Sequence, residues 1–359
     1  MISSWSSNNR IMGAVAPDIN AGGRRAAISF VTVVYAGEVG LLRLQARSLA
    51  RYFPVQELHE ILVIANDRDP VRFAATLRTL ALDYGPHADK LRFVLPDDIF
   101  HGPRGPRDWG KAAKLFAKGL SRRLRNHPQR NWRGASGWLI QQAMKLAACR
   151  AVTCENMVYL DAKNHFIAHA SAADFFDETG TPRARLEQVQ DNYFEWHQSA
   201  RAYFDDAPLP RDAALPPSIT PFACNRQHVL QTLDLIEGKS SAIEFFFTPK
   251  TPLGTEFTLI FAHMMRAGPP LNADRSTHSP VTTGLIPFAS IFRDATQTDI
   301  AQMISQAQSG AVRMLGTHSG RLAQMSLSDL NPLLDLWHRR GLTSSTTEGA
   351  ALLARAPAQ

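Results

Sequence analysis

Three apolar runs, separated by stretches of helical periodicity and closed by polar turns, constrain this chain more than any other feature. Residues 28–34 (ISFVTVV), 60–65 (EILVIA) and 91–95 (LRFVL) combine β-branched and aromatic residues over the length of a buried strand. Between the first two, Leu41, Leu44, Gln45, Leu49 and Tyr52 recur at helical spacing, and residues 71–84 predict a second helix. Strands joined by helices pair in parallel, because parallel neighbours need a crossover, so the βαβαβ rhythm predicts an α/β fold with a mostly parallel, Rossmann-like sheet and helices on both faces. Such sheets bind ligands outside the carboxyl ends of their strands. The polar clusters Asn66-Asp67 and Asp97-Asp98 follow strands two and three there.

Composition excludes wholesale disorder, since 45% of the 359 residues are hydrophobic and 20% charged. The net charge of +7 is local: between His101 and Gly134 ten Lys and Arg face the single acid Asp108, so that segment is +9 and the remainder −2. A single cationic patch argues against a general nucleic-acid-binding protein. Lys111, Lys114, Lys118, Arg122 and Arg125 share one face of a predicted amphipathic helix, read as a basic insertion and a candidate contact for an anionic membrane. The N-terminal sequence lacks the charged start and apolar core of a signal peptide, no run reaches the ~18 apolar residues of a membrane span, and three cysteines form no CxxC pair; a cytoplasmic protein, peripheral at most to the inner membrane face, is expected. Residues 1–25 and 341–359 read as loose ends flanking one domain at 26–340, with the insertion at 101–134.

Signature motifs of several enzyme classes are missing from the sequence: GxGxxG after the first strand, GxxxxGK[ST], GxSxG and HExxH. What remains is Asp161, ending the buried-type run MVYL and followed by Lys163 and Asn164. A strand-terminal carboxylate suits Mg²⁺ or Mn²⁺ bound against a diphosphate; it equally suits a turn cap or a partner for Lys163. Gln142 and Lys145, three apart on the preceding helix, can share the face that leads to this strand. His165 and His169 read as loop or surface residues, and the cysteines as buried hydrophobes rather than nucleophiles.

In order, the segments SFVTVVYAGEVGLLRLQARSLARYF, EILVIANDRDP, GWLIQQAMKL and MVYLDAKNHF resemble bacterial glycosyltransferase-like proteins of the GT-A type, a largely uncharacterised family often associated with polysaccharide synthesis. The resemblance implies a nucleotide pocket lined by Thr32, Tyr35, Asn66 and Asp67, with Gln142, Lys145 and Lys163 also on the donor. It implies a metal held by Asp161, Asn164 and His318, with Mn²⁺ or Mg²⁺ as cofactor. The family's DxD pattern has a second acid where this chain has Lys163, so either Asn164 or another residue completes the site, or Lys163 itself neutralises the diphosphate and the metal is weakly held or absent. Glu256, in a helix start similar to that of related transferases, is the candidate general base, or else an acid stabilising the helix N-terminus. The expected function is transfer of a sugar from a nucleotide-diphosphate donor to a glycan or lipid-linked hydroxyl. The alternatives are a degenerate fold that binds anionic polymer or membrane, and a nucleotidyltransferase.

Overall fold

The structure, a computed structural model, describes residues 27–101, 131–135, 137–239, 243–247, 254–267 and 280–353, with the isolated positions 113, 117 and 121. β1 (Ile28–Val34) turns into α1 (Val39–Tyr52), and β2 (Leu58–Ala65), α2 (Pro70–Arg78) and β3 (Leu91–Val94) complete the expected alternation. After α3 (Pro96–His101), α4 (Gly137–Ala147) leads to β4 (Asn156–Asp161) and, two residues on, β5 (Asn164–Phe166). The chain continues through β6 (Arg183–Ala184), α5 (Asp191–Tyr203), β7 (Phe222–Asn225), α6 (Arg226–Lys239), α7 (Glu256–Ala267), β8 (Thr282–Thr283) and β9 (Phe288–Ile291). It ends with α8 (Gln297–Ser309), β10 (Met314–Thr317), α9 (Ser319–Leu322), α10 (Leu327–Arg339) and α11 (Thr346–Leu353).

The main sheet runs β3-β2-β1-β4-β7, parallel except for β7, which lies antiparallel on β4. Its strands are apolar on both faces because both are covered. Ile28, Phe30, Val34, Ile61, Val63, Val158 and Leu160 belong to one core layer, with Leu42 and Leu49 of α1 and Trp337 of α10. Val31, Val33, Leu62, Ile64, Met157 and Tyr159 enter the opposite layer, with Ile140 and Met144 of α4 and Leu259 and Ile260 of α7. The two-residue period of the strands thus divides consecutive apolar residues between two cores.

From β1 the chain adds β2 and β3 on one side and later places β4 on the other. Strand order therefore reverses between β1 and β4, and their carboxyl ends open the crevice at which sheets of this kind take ligands. Asp161 lies there, in register with Val33. A smaller sheet, β5-β10-β9, carries the end of β10 to the same rim: Thr317 N–H donates to the Lys163 carbonyl at 3.2 Å.

Several expectations change. The second helix stops at Arg78, and a 3-10 stretch, Ala81–Lys90, follows with Pro86 inside it, where a missing N–H and a bulky ring disfavour α-helix. Residues 341–353 are not a loose tail: α11 packs on α1 so closely that a side chain at Gly40 would overlap the Leu352 carbonyl, and Arg47 pairs with Glu348 at 2.7 Å. His165 is not a surface residue; it is buried, and its Nε2 accepts from Trp337 Nε1 at 2.8 Å. Residues 1–25 and most of the basic insertion at 101–134 lie outside the described residues.

Candidate active site

The last residue of β4 gathers four side chains. Asp161 Oδ1 lies 2.9 Å from Lys145 Nζ and accepts from Gln141 Nε2 at 3.4 Å; Oδ2 accepts from Thr220 Oγ1 at 3.0 Å and lies 3.3 Å from Lys163 Nζ. Lys145 Nζ also pairs with Glu256 Oε1 at 3.1 Å and stands over the Phe257 ring, 4.7 Å from its centroid. Asp161, Lys145, Lys163 and Glu256 are thus one ion-paired cluster, with two charges of each sign.

Neighbouring elements fix this geometry. Tyr159, one turn of pleat before Asp161, donates its hydroxyl to the Lys145 carbonyl at 2.8 Å and ties β4 to the last turn of α4. Gln45 of α1 donates to the carbonyls of Asp161 (2.8 Å) and Asn164 (3.1 Å), while its own oxygen accepts from Thr32 at 3.0 Å. The β4–β5 turn is therefore stapled to β1. Asn164 Oδ1 closes the turn by accepting from the Asp161 N–H at 2.7 Å. At α7, Thr258 N–H donates to Thr255 Oγ1 at 3.4 Å and the Thr255 N–H donates back to Thr258 Oγ1 at 2.8 Å, a reciprocal cap that sets Glu256 in the first helical turn.

Electrostatics divides the acids. Burial works to raise the Asp161 carboxyl, but Lys145, Lys163 and the Thr220 hydroxyl outweigh it and hold Asp161 well below the usual carboxylate range. Burial also opposes the Lys145 charge, and Asp161 and Glu256 outweigh it, so Lys145 is a firmly held ammonium. At Glu256 burial prevails over Lys145 and the carboxyl rises. Glu38, half-buried between β1 and α1, is pushed up to about 7, first by burial and then by the Asp161 charge, against the pull of Lys163. Its Oε1 accepts from Ser319 Oγ at 3.5 Å, and Ser319 lies 3.4 Å from the Tyr35 hydroxyl.

The structure brings Lys145, Lys163, Asp161 and Glu256 together and places Tyr35 on the same rim through Ser319. Asn164 joins them through the turn at Asp161 and His318 lies within range of Lys163, but the other candidates do not reach the cluster. Thr32 is buried and spends its hydroxyl on Gln45. Asn66 is buried, accepting from the Trp132 N–H at 3.3 Å, and Asp67 accepts from the Asp69 N–H at 3.1 Å in its own turn. Gln142 is buried with neither amide atom partnered; Gln141 is the helix residue that touches Asp161. His318 caps α9, its Nδ1 accepting from the Gly320 N–H at 3.1 Å, and burial with the nearby Lys163 and Arg293 charges lowers its basicity. Glu256, only 4% exposed beneath Lys145, is closed to an acceptor. Sequence reasoning missed Glu38, Gln45, Gln141 and Thr220; only Glu38 carried a signal, as the one acid in the loop after the first strand.

The donor set does not fit a divalent metal. Each Asp161 oxygen already has an ammonium group within 3.3 Å, Asn164 uses its oxygen on the turn, and His318 uses Nδ1 on its own helix. Among the described residues no three His, Cys, Asp or Glu side chains group as metal ligands. Hard cations select carboxylate and carbonyl oxygens, and here the Asp161 oxygens are already paired with ammonium groups.

A separate groove, lined by Ala184, Arg185, Leu285, Pro287, Phe288 and Val312, contains none of these residues. Among the described residues no helix is long and apolar enough to cross a membrane.

No family model matches the chain, and no curated protein matches it in sequence. Among solved structures it is similar to an active-site mutant of LgtC, at 11% identity over 80% of this chain and 86% of the other, with a TM-score of 0.40. It is also similar to the bifunctional glycosyltransferase WbbM (10% identity, 85% of this chain, 47% of the other, TM-score 0.36) and to mouse xyloside xylosyltransferase 1 (13%, 81%, 97%, 0.34).

Proposed function

We propose that this chain transfers a sugar from a nucleotide-diphosphate donor to a hydroxyl of a glycan acceptor. The observation that carries it is the position of the Asp161–Lys163 pair: at the carboxyl end of β4, where strand order reverses, in a sheet whose motifs resemble those of GT-A transferases. The donor's diphosphate would lie at this strand end and its nucleoside along the rim beside Tyr35.

Transfer needs a base to take the acceptor proton, and Glu38 is the carboxylate we assign to it. It faces the cluster, is partly exposed where Glu256 is buried, and is pushed up to about 7, where a general base works best. A glycan acceptor is supported by an aromatic surface on the same side of α4: Trp138 is 56% exposed, one turn before Gln141, with its ring 6.0 Å from that of Trp196, which lies 5.3 Å from Tyr193. Rings with an apolar face and a polar edge suit the faces of saccharides.

The test is release of nucleoside diphosphate from a panel of UDP-, GDP-, CDP- and dTDP-sugars by the full chain, with and without mixed oligosaccharides. Release from one donor class, lost in Asp161→Asn, is expected. No release and no binding of any donor would remove the proposal.

A further inference from the structure

Resting on the transferase function proposed above, we propose that Lys163, oriented by Asp161, binds the donor diphosphate directly and takes the place of a divalent cation. Three observations converge on it. Both oxygens of Asp161 are occupied by ammonium groups, at 2.9 and 3.3 Å. The two lysines differ in access: the Lys145 side chain is 6% exposed and Lys163 22%, so Lys145 is a buried counter-charge and Lys163 the cation that reaches the crevice. Asp161 and Glu256 are balanced by Lys145 and Lys163, so these four groups sum to zero, and an anion at Lys163 meets the exposed end of the cluster.

The surroundings favour the anion as well. His318 lies within range of the Lys163 and Arg293 charges, and burial together with these two cations favours its neutral ring. The Nε of Arg321, on the helix that His318 caps, is buried and has no hydrogen-bond partner among the described residues. The Lys163 carbonyl is held by the Thr317 N–H at 3.2 Å and accepts from His165 Nδ1, also at 3.2 Å. Because Trp337 donates to His165 Nε2, the proton of the neutral ring must sit on Nδ1, and a chain of two buried rings fixes the backbone from which Lys163 projects.

In the transfer step the bond between the anomeric carbon and the β-phosphate oxygen breaks, and its electron pair remains on that oxygen. The acceptor oxygen forms the new bond to the anomeric carbon, and its proton passes to Glu38. Lys163 meets the charge that develops on the departing diphosphate, as a point charge without geometric demands.

Titration calorimetry of the full chain with UDP, GDP, CDP and inorganic diphosphate, in EDTA and in excess Mn²⁺ or Mg²⁺, tests this with a readout other than turnover. The best-bound nucleoside diphosphate should bind in EDTA within about threefold of its affinity with metal. Lys163→Gln should weaken it about 10–100-fold, the loss of one charge-assisted contact, whereas Lys163→Arg should keep most of it. Lys163→Asp should bind weakly in EDTA and recover on adding Mn²⁺, because the second acid and a released Asp161 oxygen recreate an oxygen site. Binding that requires metal and is indifferent to Lys163→Gln would overturn the inference and leave the transferase standing. Failure of every nucleoside diphosphate in both conditions would overturn both.

Discussion

Replacing Lys145 with methionine tests whether the cluster is as interdependent as its distances imply. The side chain is buried and pairs with Asp161 at 2.9 Å and with Glu256 at 3.1 Å. Methionine preserves most of the aliphatic volume but leaves two carboxylates without their shared counter-charge. Asp161 retains Lys163; among the described residues Glu256 retains no ion-pair partner. Removing one partner of a buried pair costs about 3–5 kcal/mol, most of it the uncompensated charge left behind. With an unfolding entropy of about 2.1 cal/mol/K per residue and 359 residues, the melting temperature should fall by about 4–7 °C. Adding Glu256→Leu to Lys145→Met removes the orphan, so the double variant should be more stable than Lys145→Met alone by about 2 kcal/mol. Calorimetry and urea unfolding of the four members of the cycle provide the measurement. A single-variant loss below about 1 kcal/mol, or a double variant whose losses simply add, would show that Lys145 and Glu256 are not coupled as described.

Other outcomes follow from individual residues. His165 and His197 are both lowered by burial to about 4, from about 6.5 when unfolded, so the unfolded chain takes protons first; their stabilisation is complete above about pH 6.5 and is lost as pH falls toward 4, about 3 kcal/mol for each. Urea midpoints across that window should show it, and His165→Gln, which keeps an acceptor for Trp337, should reduce the slope. Glu38, raised to about 7, stabilises the fold when protonated, and that contribution is lost as pH rises from its unfolded value of about 4.5 through 7. Glu38→Gln should therefore gain stability relative to wild type at alkaline pH, while losing about 10²–10⁴ in transfer rate and the rise in rate through pH 7. Gln142→Met should raise the melting temperature, because it removes two buried, unpartnered amide atoms worth about 1–3 kcal/mol at little cost in shape. Vesicles of anionic lipid, but not neutral ones, should sediment the protein at low salt, and glutamine at Lys111, Lys114, Lys118, Arg122 and Arg125 should abolish it.

The strand–helix alternation was legible because β1, β2 and β4 are buried on both faces and therefore appear as unbroken apolar runs. β7 was not: Phe222–Asn225 is four residues long and pairs antiparallel at the sheet edge, too short for a period to declare itself. α11 was missed because its eight residues are small and weakly amphipathic, and only its packing against α1 and α10 makes it a helix. At the site, Asp161 and Lys163 could be named from their position at a strand end, and Lys145 from its spacing on the helix before it. What spacing could not convey is which atoms meet. Gln141 rather than Gln142 faces Asp161, Thr220 arrives from 59 residues downstream, and Glu256 enters beneath Lys145 instead of opening to solvent. The polar residues Thr32 and Asn66, which looked like pocket lining, are spent on Gln45 and Trp132, because buried hydroxyls and amides must be satisfied within the fold.

On the proposed function, a nucleotide diphosphate enters at the carboxyl ends of β1 and β4. A crystal structure of the full chain with the tightest-binding nucleoside diphosphate measures this directly. Phosphate oxygens should lie within about 2.7–3.2 Å of Lys163 Nζ, with the nucleoside beside Tyr35 and Asp161 still paired to Lys145. A nucleotide seated elsewhere, for example in the groove beside Arg185 and Phe288, with the Asp161 cluster untouched, would contradict it.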